Sequence, residues 1–410
     1  MIELGLGRIA ALLKNTPQSW KAVHVAGTNG KGSICAYVHA MVRSRRVSCG
    51  RFTSPHLVDR WDCVAIDDGP VPEARFRHFE ALVRARDVEG QVGASEFELL
   101  AATAFELFEA AGVEVGVVEV GLGGRLDATN ALRDKAVAVV ASISIDHQAF
   151  LGDELEDIAL QKAGIMRPGV PCVVDPSNPP RVLDVLRAHA DEVGASLRLA
   201  PDPQSAADLL GPELTEQLEP HQQQNLLCAY EAFRLACPDD PATARELLAA
   251  GAAAVWPGRL QSVDVAKLTG RSEPVLMDGA HNPQSAEVLS AYVGKRLRAN
   301  GGSGPVTWLL AASAGKDITE ILKILLRDGD HVVAVEFGPV DGMPWVSPTS
   351  SATILRTIDD LGISLSSRGD ARGDVLKGLG AAAKLAQGGG PLVVAGSLYL
   401  VSDILRLLRA

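Results

Sequence analysis

Apolar runs of strand length alternate along this chain with longer stretches whose apolar positions recur at helical spacing. "AVHVAG" precedes a helical pattern over 31–44, "VGVVEVG" follows one over 96–111, and "AVAVVASISI" leads into one over 153–164. That alternation predicts βαβ units and a mostly parallel sheet. Over 201–220 the pattern weakens and reads as a connection, after which helices are expected at 221–236 and near 242–254. Beyond "WPGRL" (256–260) the alternation restarts: "PVLMDGAHNP" gives a strand and a helix start, and "VTWLLAAS", "HVVAVEF" and "PLVVAGS" give three further strands, each followed by helical pattern. The expected organisation is an α/β domain over 1–260 and a smaller, Rossmann-like α/β domain over 261–410. Gly and Pro are spread among turns rather than gathered in a linker.

Length supports that division, because 410 residues exceed what one hydrophobic core usually organises. Aromatic residues make up only 4%, so Ala, Val and Leu must do the packing. A net charge of −11 argues against a binder of phosphate backbones, which needs clustered Lys and Arg. No nucleic-acid partner is expected, and any anionic ligand must be met by a local site. The six cysteines form no CxxC pair and are too few for a disulfide scaffold, so reduced thiols are expected. No secretory signal opens the chain, and its longest apolar run is too short to span a bilayer. A cytoplasmic, monomeric protein without a membrane partner is the expectation.

One stretch carries candidate chemistry. "GTNGKGS" follows a strand pattern and precedes a helical one, the context in which glycines bring backbone amides and a helix N-terminus to a phosphate. Gly27, Thr28, Asn29, Gly30, Lys31, Gly32 and Ser33 would form the cradle, with Lys31 adding a point charge. The spacing departs from G-x-x-x-x-G-K-[ST], since Gly27 stands three residues before Gly30 and Gly32 separates Lys31 from Ser33. Taken alone, the stretch also fits a plain strand-to-helix turn.

The full string "VAGTNGKGS" resembles the phosphate loop of the folylpolyglutamate synthase and dihydrofolate synthase family, a branch of the Mur-type ATP-dependent amide ligases. "TSPHL", "EVGLGGRLDATN", "DHQAFLG", "QKAGI", "HQQQN", "WPGRL", "DGAHNP" and "GSLYL" resemble further family motifs, in family order, from about residue 20 to 405. The resemblance implies an N-terminal P-loop ATPase domain followed by the smaller α/β domain. It also implies an ATP-dependent acid–amino-acid ligase acting on dihydropteroate or a folate, L-glutamate and ATP.

Residue roles follow from the same resemblance. Ser54 and Glu119 would hold a first Mg²⁺ beside the phosphates, and His147 would help bind a second. Lys162, fifteen residues beyond His147, matches a lysine carbamylated by CO₂. Carbamylation needs a neutral amine, and at an ordinary lysine pKa the deprotonation deficit at pH 7 is roughly 4 to 5 kcal/mol. A metal waiting for the resulting anion can offset that deficit. Asn225 would order the adenine, Arg259 would reach the phosphates, and Asp278 would contact the nucleotide. His281 and Ser397 would lie near the incoming glutamate, with His56 and Asp127 near the pterin. Read singly, Glu119 would be a surface ion-pair partner, His147 a structural histidine, Lys162 a helix-surface cation, and Ser397 a helix cap.

The chain departs from the family pattern after "TSPHLV", where "DRWDCVAIDDG" replaces an Asn-Glu-Arg-like segment. Asp62 stands where the glutamate is usual, while Trp61 and Cys63 replace polar residues. The preferred folate form is therefore open, as is the choice between dihydrofolate synthase, folylpolyglutamate synthase and both activities. The implied reaction forms an acyl phosphate from the acceptor carboxylate and ATP, which the glutamate amine then attacks. Domain closure over that intermediate is expected to exclude water. A Mur-type ligase of another substrate and a phosphate-loop NTPase switch are the competing readings.

Overall fold

The structure is a computed structural model that describes residues 5–298, 305–386 and 389–409. The chain divides into two compact units, Met1–His56 with Trp61–Val255, and Leu57–Arg60 with Trp256–Ala410. Both are α/β, each with a mostly parallel sheet between helices.

Eight strands build the first sheet: β1 (Lys21–Ala26), β2 (Cys49–Phe52), β3 (Val64–Ile66), β4 (Gly69–Pro70), β5 (Val115–Glu119), β6 (Lys135–Val140), β7 (Pro171–Val174) and β8 (Ser196–Leu199). Their order is β4-β3-β2-β5-β1-β6-β7-β8. β1 pairs in parallel with β5 on one side and β6 on the other, while β3 and β4 form an antiparallel edge. Such sheets bury both faces, which is why β5 reads as the unbroken run VGVVE, buried throughout. The helix Lys31–Ser44 packs its Ile34, Val38 and Met41 over one face together with the helices Pro220–Ala236 and Ala244–Ala252. The opposite face carries the helix Glu96–Ala111, where Trp20 meets Phe105 and Phe108 edge to face at 5.5 and 5.3 Å. Chain connections leave the centre of this sheet in opposite directions at β1, so the crevice beyond its C-terminal end is where a ligand belongs.

The second sheet has six strands: β9 (Gln261–Val263), β10 (Val275–Met277), β11 (Thr307–Leu310), β12 (His331–Val335), β13 (Ser367–Arg372) and β14 (Leu392–Ala395). Their order is β13-β12-β11-β14-β10-β9, parallel except for the edge strand β9. At the N-terminal ends of its strands lies Asp330, which is fully buried. It takes both Arg298 guanidinium nitrogens, the Trp308 indole N–H at 3.0 Å, and the backbone amides of Val306 and Arg327 at 3.0 and 3.1 Å.

Three expectations change. The stretch 201–220, expected to be a connection, contains the helix Ala207–Gln217, broken at Gly211 (φ 72°) just ahead of Pro212. Only Leu210 of it is buried, so little apolar periodicity marks it. Six strands stand where four were expected. The additional β9 and β13 are sheet edges, and "SRGDAR" of β13 has only Ala371 buried, leaving no apolar run to read. The expected helix at 153–164 is Leu155–Ala163, with a separate turn at Gln148–Leu151.

Replacing Asp330 with alanine would leave Arg298 and three other donors without their acceptor. Urea unfolding should show the second unit destabilised by about 3–5 kcal/mol, and an unchanged midpoint would count against this network as its anchor.

Candidate active site

The phosphate-type loop joins β1 to the helix Lys31–Ser44 and is pinned across the sheet. The amides of Thr28 and Asn29 both donate to the Ser142 carbonyl, at 2.8 and 3.2 Å, and the Thr28 hydroxyl donates to the Ser144 carbonyl at 3.0 Å. Two glycines make the path possible. A Cβ on Gly27 would lie 2.8 Å from that of Ala141, and one on Gly30, at φ 89°, would lie 2.4 Å from the Asn225 side-chain oxygen. Asn225 is thereby packed against the loop itself. Gly30 offers no side-chain cap, and the first helical bond runs from Ile34 N to Gly30 O. The amides of Lys31, Gly32 and Ser33 precede that bond, an arrangement suited to an anion.

Two lysines converge on this loop. Lys31 Nζ donates to the Thr28 carbonyl at 3.0 Å and lies 3.8 Å from Glu119. Lys162, buried on the helix Leu155–Ala163, donates to the Gly27 carbonyl at 2.8 Å. Burial first, and the Lys31 charge second, push the Lys162 amine down to about 7, against the opposing pull of Asp146 and Asp127. Near neutral pH a sizeable fraction of this amine is unprotonated and nucleophilic.

Glu119 ends β5 and is buried; one of its oxygens accepts from the Ser54 amide at 3.3 Å. This carboxylate beside the loop, with the Ser54 hydroxyl on the adjoining residue, is the hard oxygen set that Mg²⁺ prefers. No group of three or more His, Cys, Asp or Glu suited to a metal occurs among the described residues. His147 adopts a left-handed backbone (φ 55°), donates its backbone amide to the Asp146 carboxylate at 2.8 Å, and keeps its side chain about half exposed.

Asp127 serves the loop that carries it. Its carboxylate accepts from Leu122 N at 2.8 Å, Thr129 N at 2.9 Å and the Thr129 hydroxyl at 2.5 Å, while burial raises its pKa. Behind Thr129 stands His24, fully buried, with Nε2 2.8 Å from the hydroxyl. His56 is buried in the first unit. The divergent segment folds as a 3₁₀ turn, Arg60–Cys63, whose Cys63 carbonyl accepts from Thr53 N at 2.9 Å. Trp61 packs into the core there, with the Arg77 guanidinium 5.4 Å from its ring centre.

In the second unit the expected residues gather at the C-terminal ends of β10 and β14, which are paired neighbours. Asp278 accepts from Leu260 N at 2.8 Å; burial raises its pKa, and the nearby Arg259 charge opposes the rise. A Cβ on Gly279 would lie 2.5 Å from the Arg259 guanidinium, so Arg259 lies directly over this turn. His281 Nδ1 donates to the Gly279 carbonyl at 2.8 Å, which leaves Nε2 as the basic atom of the neutral ring. Ser397 precedes the helix Leu398–Arg409 and caps it, accepting from Tyr399 N at 3.2 Å.

Sequence reasoning passed over Ser142, Ser144, Asp146, His24 and Thr129 as supports of the loop. Asp146 and Thr129 stood inside quoted motifs, whereas nothing local marks His24 as more than a core residue.

Gly30→Ala should weaken binding of a non-hydrolysable ATP analogue by about five- to a hundredfold, since strain of about 1–3 kcal/mol falls on the loop; calorimetry measures it. For Lys162, whose folded pKa of about 7 lies below its ordinary 10.5, the unfolded chain binds more protons between those values. Stability should therefore rise with pH across that window. In CO₂-depleted buffer the difference between wild type and Lys162→Met should change by about 1.4 kcal/mol per pH unit there, and a pH-independent difference would contradict the buried neutral amine.

Known proteins resemble this chain along its whole length. A family model described as the C-terminal domain of dihydrofolate synthetase matches residues 261–407. The probable dihydrofolate synthetase of Schizosaccharomyces pombe is 37% identical over all of this chain and 99% of its own length. The dihydrofolate synthetase of Saccharomyces cerevisiae is 35% identical, covering 99% of this chain and 98% of the relative. A bifunctional folylpolyglutamate synthase/dihydrofolate synthase from Yersinia pestis, solved with AMPPNP and Mn ion, superposes with a TM-score of 0.80. It is 28% identical and covers 100% of this chain and 94% of that one. With relatives matched from end to end and the phosphate loop folded around two lysines, the chain belongs to the folylpolyglutamate synthase and dihydrofolate synthase family.

Proposed function

We propose that this protein joins L-glutamate to dihydropteroate in an ATP-dependent reaction, the activity of a dihydrofolate synthase, with glutamate addition to folates as the alternative at the same site. The observation that carries the ligase chemistry is the pair of amines at the glycine loop, Lys31 on Thr28 O and Lys162 on Gly27 O. The preference for dihydropteroate is supported by the description of the matching C-terminal model and by the two yeast relatives.

The amides of Lys31, Gly32 and Ser33 and the Lys31 ammonium hold the triphosphate, with Asn225 against the loop for the base. The acceptor carboxylate forms an O–P bond to the γ-phosphorus as the bridging bond to ADP breaks. Charge growing on the transferred oxygens is met by groups already in place. The glutamate amine then forms a C–N bond to the acyl carbon, the C–O bond to phosphate breaks, and the amine loses a proton. His281 Nε2 is suited to orient that amine, and Ser397 and Asp278 belong to the same strand ends. Arg259, covering the turn beside Asp278, is assigned to the phosphates. Asp127 and His56 are assigned to the pterin side, Asp127 by shaping its loop.

Divalent cations bound by Ser54 and Glu119, and by His147 with a carbamate on Lys162, would neutralise phosphate oxygens. The burial of Lys162 supports the carbamate, because it lowers the amine pKa to about 7 and so favours the neutral form that CO₂ requires. A cytoplasmic monomer is the companion reading. The six cysteines are free thiols, and among the described residues no helix is long and apolar enough to cross a membrane.

ADP release with ATP, Mg²⁺ and L-glutamate should depend on dihydropteroate and be weaker with a reduced folate monoglutamate. Lys162→Met should lower turnover by about a thousandfold. No turnover with either acceptor would remove the proposed function.

A further inference from the structure

Outside the residues considered so far, the first unit holds a second buried lysine. Lys135 opens β6 and is 6% exposed. Its Nζ donates to the Asn130 side-chain oxygen at 2.7 Å and to the Ile165 carbonyl at 2.8 Å. Asn130 uses its amide nitrogen on two more carbonyls, Arg125 and Gly164, both at 3.0 Å. Arg167 closes the cluster, donating to the carbonyls of Asn130 at 3.2 Å and of Gly164 at 3.2 Å. Every carbonyl in this set belongs either to the loop that carries Asp127 or to the turn that follows Lys162. The two segments also touch directly: Arg125 N donates to Gln161 O at 2.8 Å, and a Cβ on Gly124 would lie 3.1 Å from the Lys162 carbonyl.

We propose that Lys135 is a positioning residue for the acceptor: its buried side chain, acting through Asn130, locks the Asp127 loop to the turn after Lys162 so that acceptor and reactive lysine keep a fixed spacing. Burial and the Arg167 charge hold its amine well below the ordinary lysine range. Two acceptors face the amine from two different segments, the Asn130 side-chain oxygen and the Ile165 carbonyl. A surface lysine would not need that match; a buried one does, because an unmet donor or acceptor there is expensive. Asn130 would keep its two donor bonds without Lys135, but the link to β6 would be gone.

The inference rests on the ligase reading, and its test separates the two. Lys135→Met keeps length and apolar stem while removing the donors; Lys135→Gln retains an amide donor for Asn130. In the ADP-release assay, Lys135→Met should raise the dihydropteroate KM by about tenfold while the ATP KM stays within about twofold, and Lys135→Gln should recover part of that loss. A merely structural lysine would lower the melting temperature and the active fraction without splitting the two KM values, and that result would overturn the proposal. Hydrogen exchange, read without substrates, gives an independent arm. The amides of 122–130 and of 163–167 should exchange faster together in Lys135→Met, whereas those of β1 should not change. Unchanged exchange in either segment would overturn the lock. If wild-type protein released no ADP with dihydropteroate, the ligase reading would fall, and exchange would still decide whether Lys135 joins the two segments.

Discussion

Two amines under one glycine loop form the constraint on which the rest of this structure depends. Lys31 and Lys162 approach from different helices and donate to carbonyls one residue apart, Thr28 and Gly27. Burial disfavours the charged form of Lys162, and the nearby Lys31 charge adds to the penalty, so this amine loses its proton more readily than an ordinary lysine. The proposed function draws on both lysines: Lys31 for the phosphates and the buried Lys162 for reaction as a free base. Glu119 stands 3.8 Å from Lys31, so a carboxylate also faces the loop.

That arrangement works only because supporting contacts come from far along the chain. Ser142 and Ser144 tie the loop to the end of β6, and Asn178 in turn fixes that segment through Ile143 N at 2.8 Å and Ala141 O at 3.2 Å. The helix bearing Lys162 is held at its end by Asn130, Lys135 and Arg167. Most of these groups spend their polarity on backbone carbonyls and amides, which orients the backbone without adding charge to the site.

In the second unit, the buried anchor and the residues proposed for chemistry occupy opposite ends of one sheet. Asp330 gathers its donors at the N-terminal ends of β11 and β12, whereas Asp278, His281 and Ser397 stand at the C-terminal ends of β10 and β14. Parallel sheets favour that separation, since strand ends facing one way present successive loops on the same side. Ser397 shows how a single residue serves both demands, capping the helix Leu398–Arg409 while lying at the end assigned to glutamate.

Local signals in the sequence determined the elements whose burial is two-sided or strongly periodic. The helices at 31–44 and 96–111, the strands β1, β5 and β6, and the glycine loop follow from apolar pattern and turn chemistry alone, and motif resemblance supplied the candidate residues. Edge strands such as β13, half polar and bound on one side, left no such pattern, and the broken helix around Gly211 buried too little to show one. Only the tertiary structure decided that Lys162 is buried rather than exposed on its helix, that His24 stands behind Asp127, and that Lys135 bridges two distant turns. Each of these depends on what surrounds a polar group in space, and desolvation by remote neighbours leaves no trace in the residues adjacent along the chain.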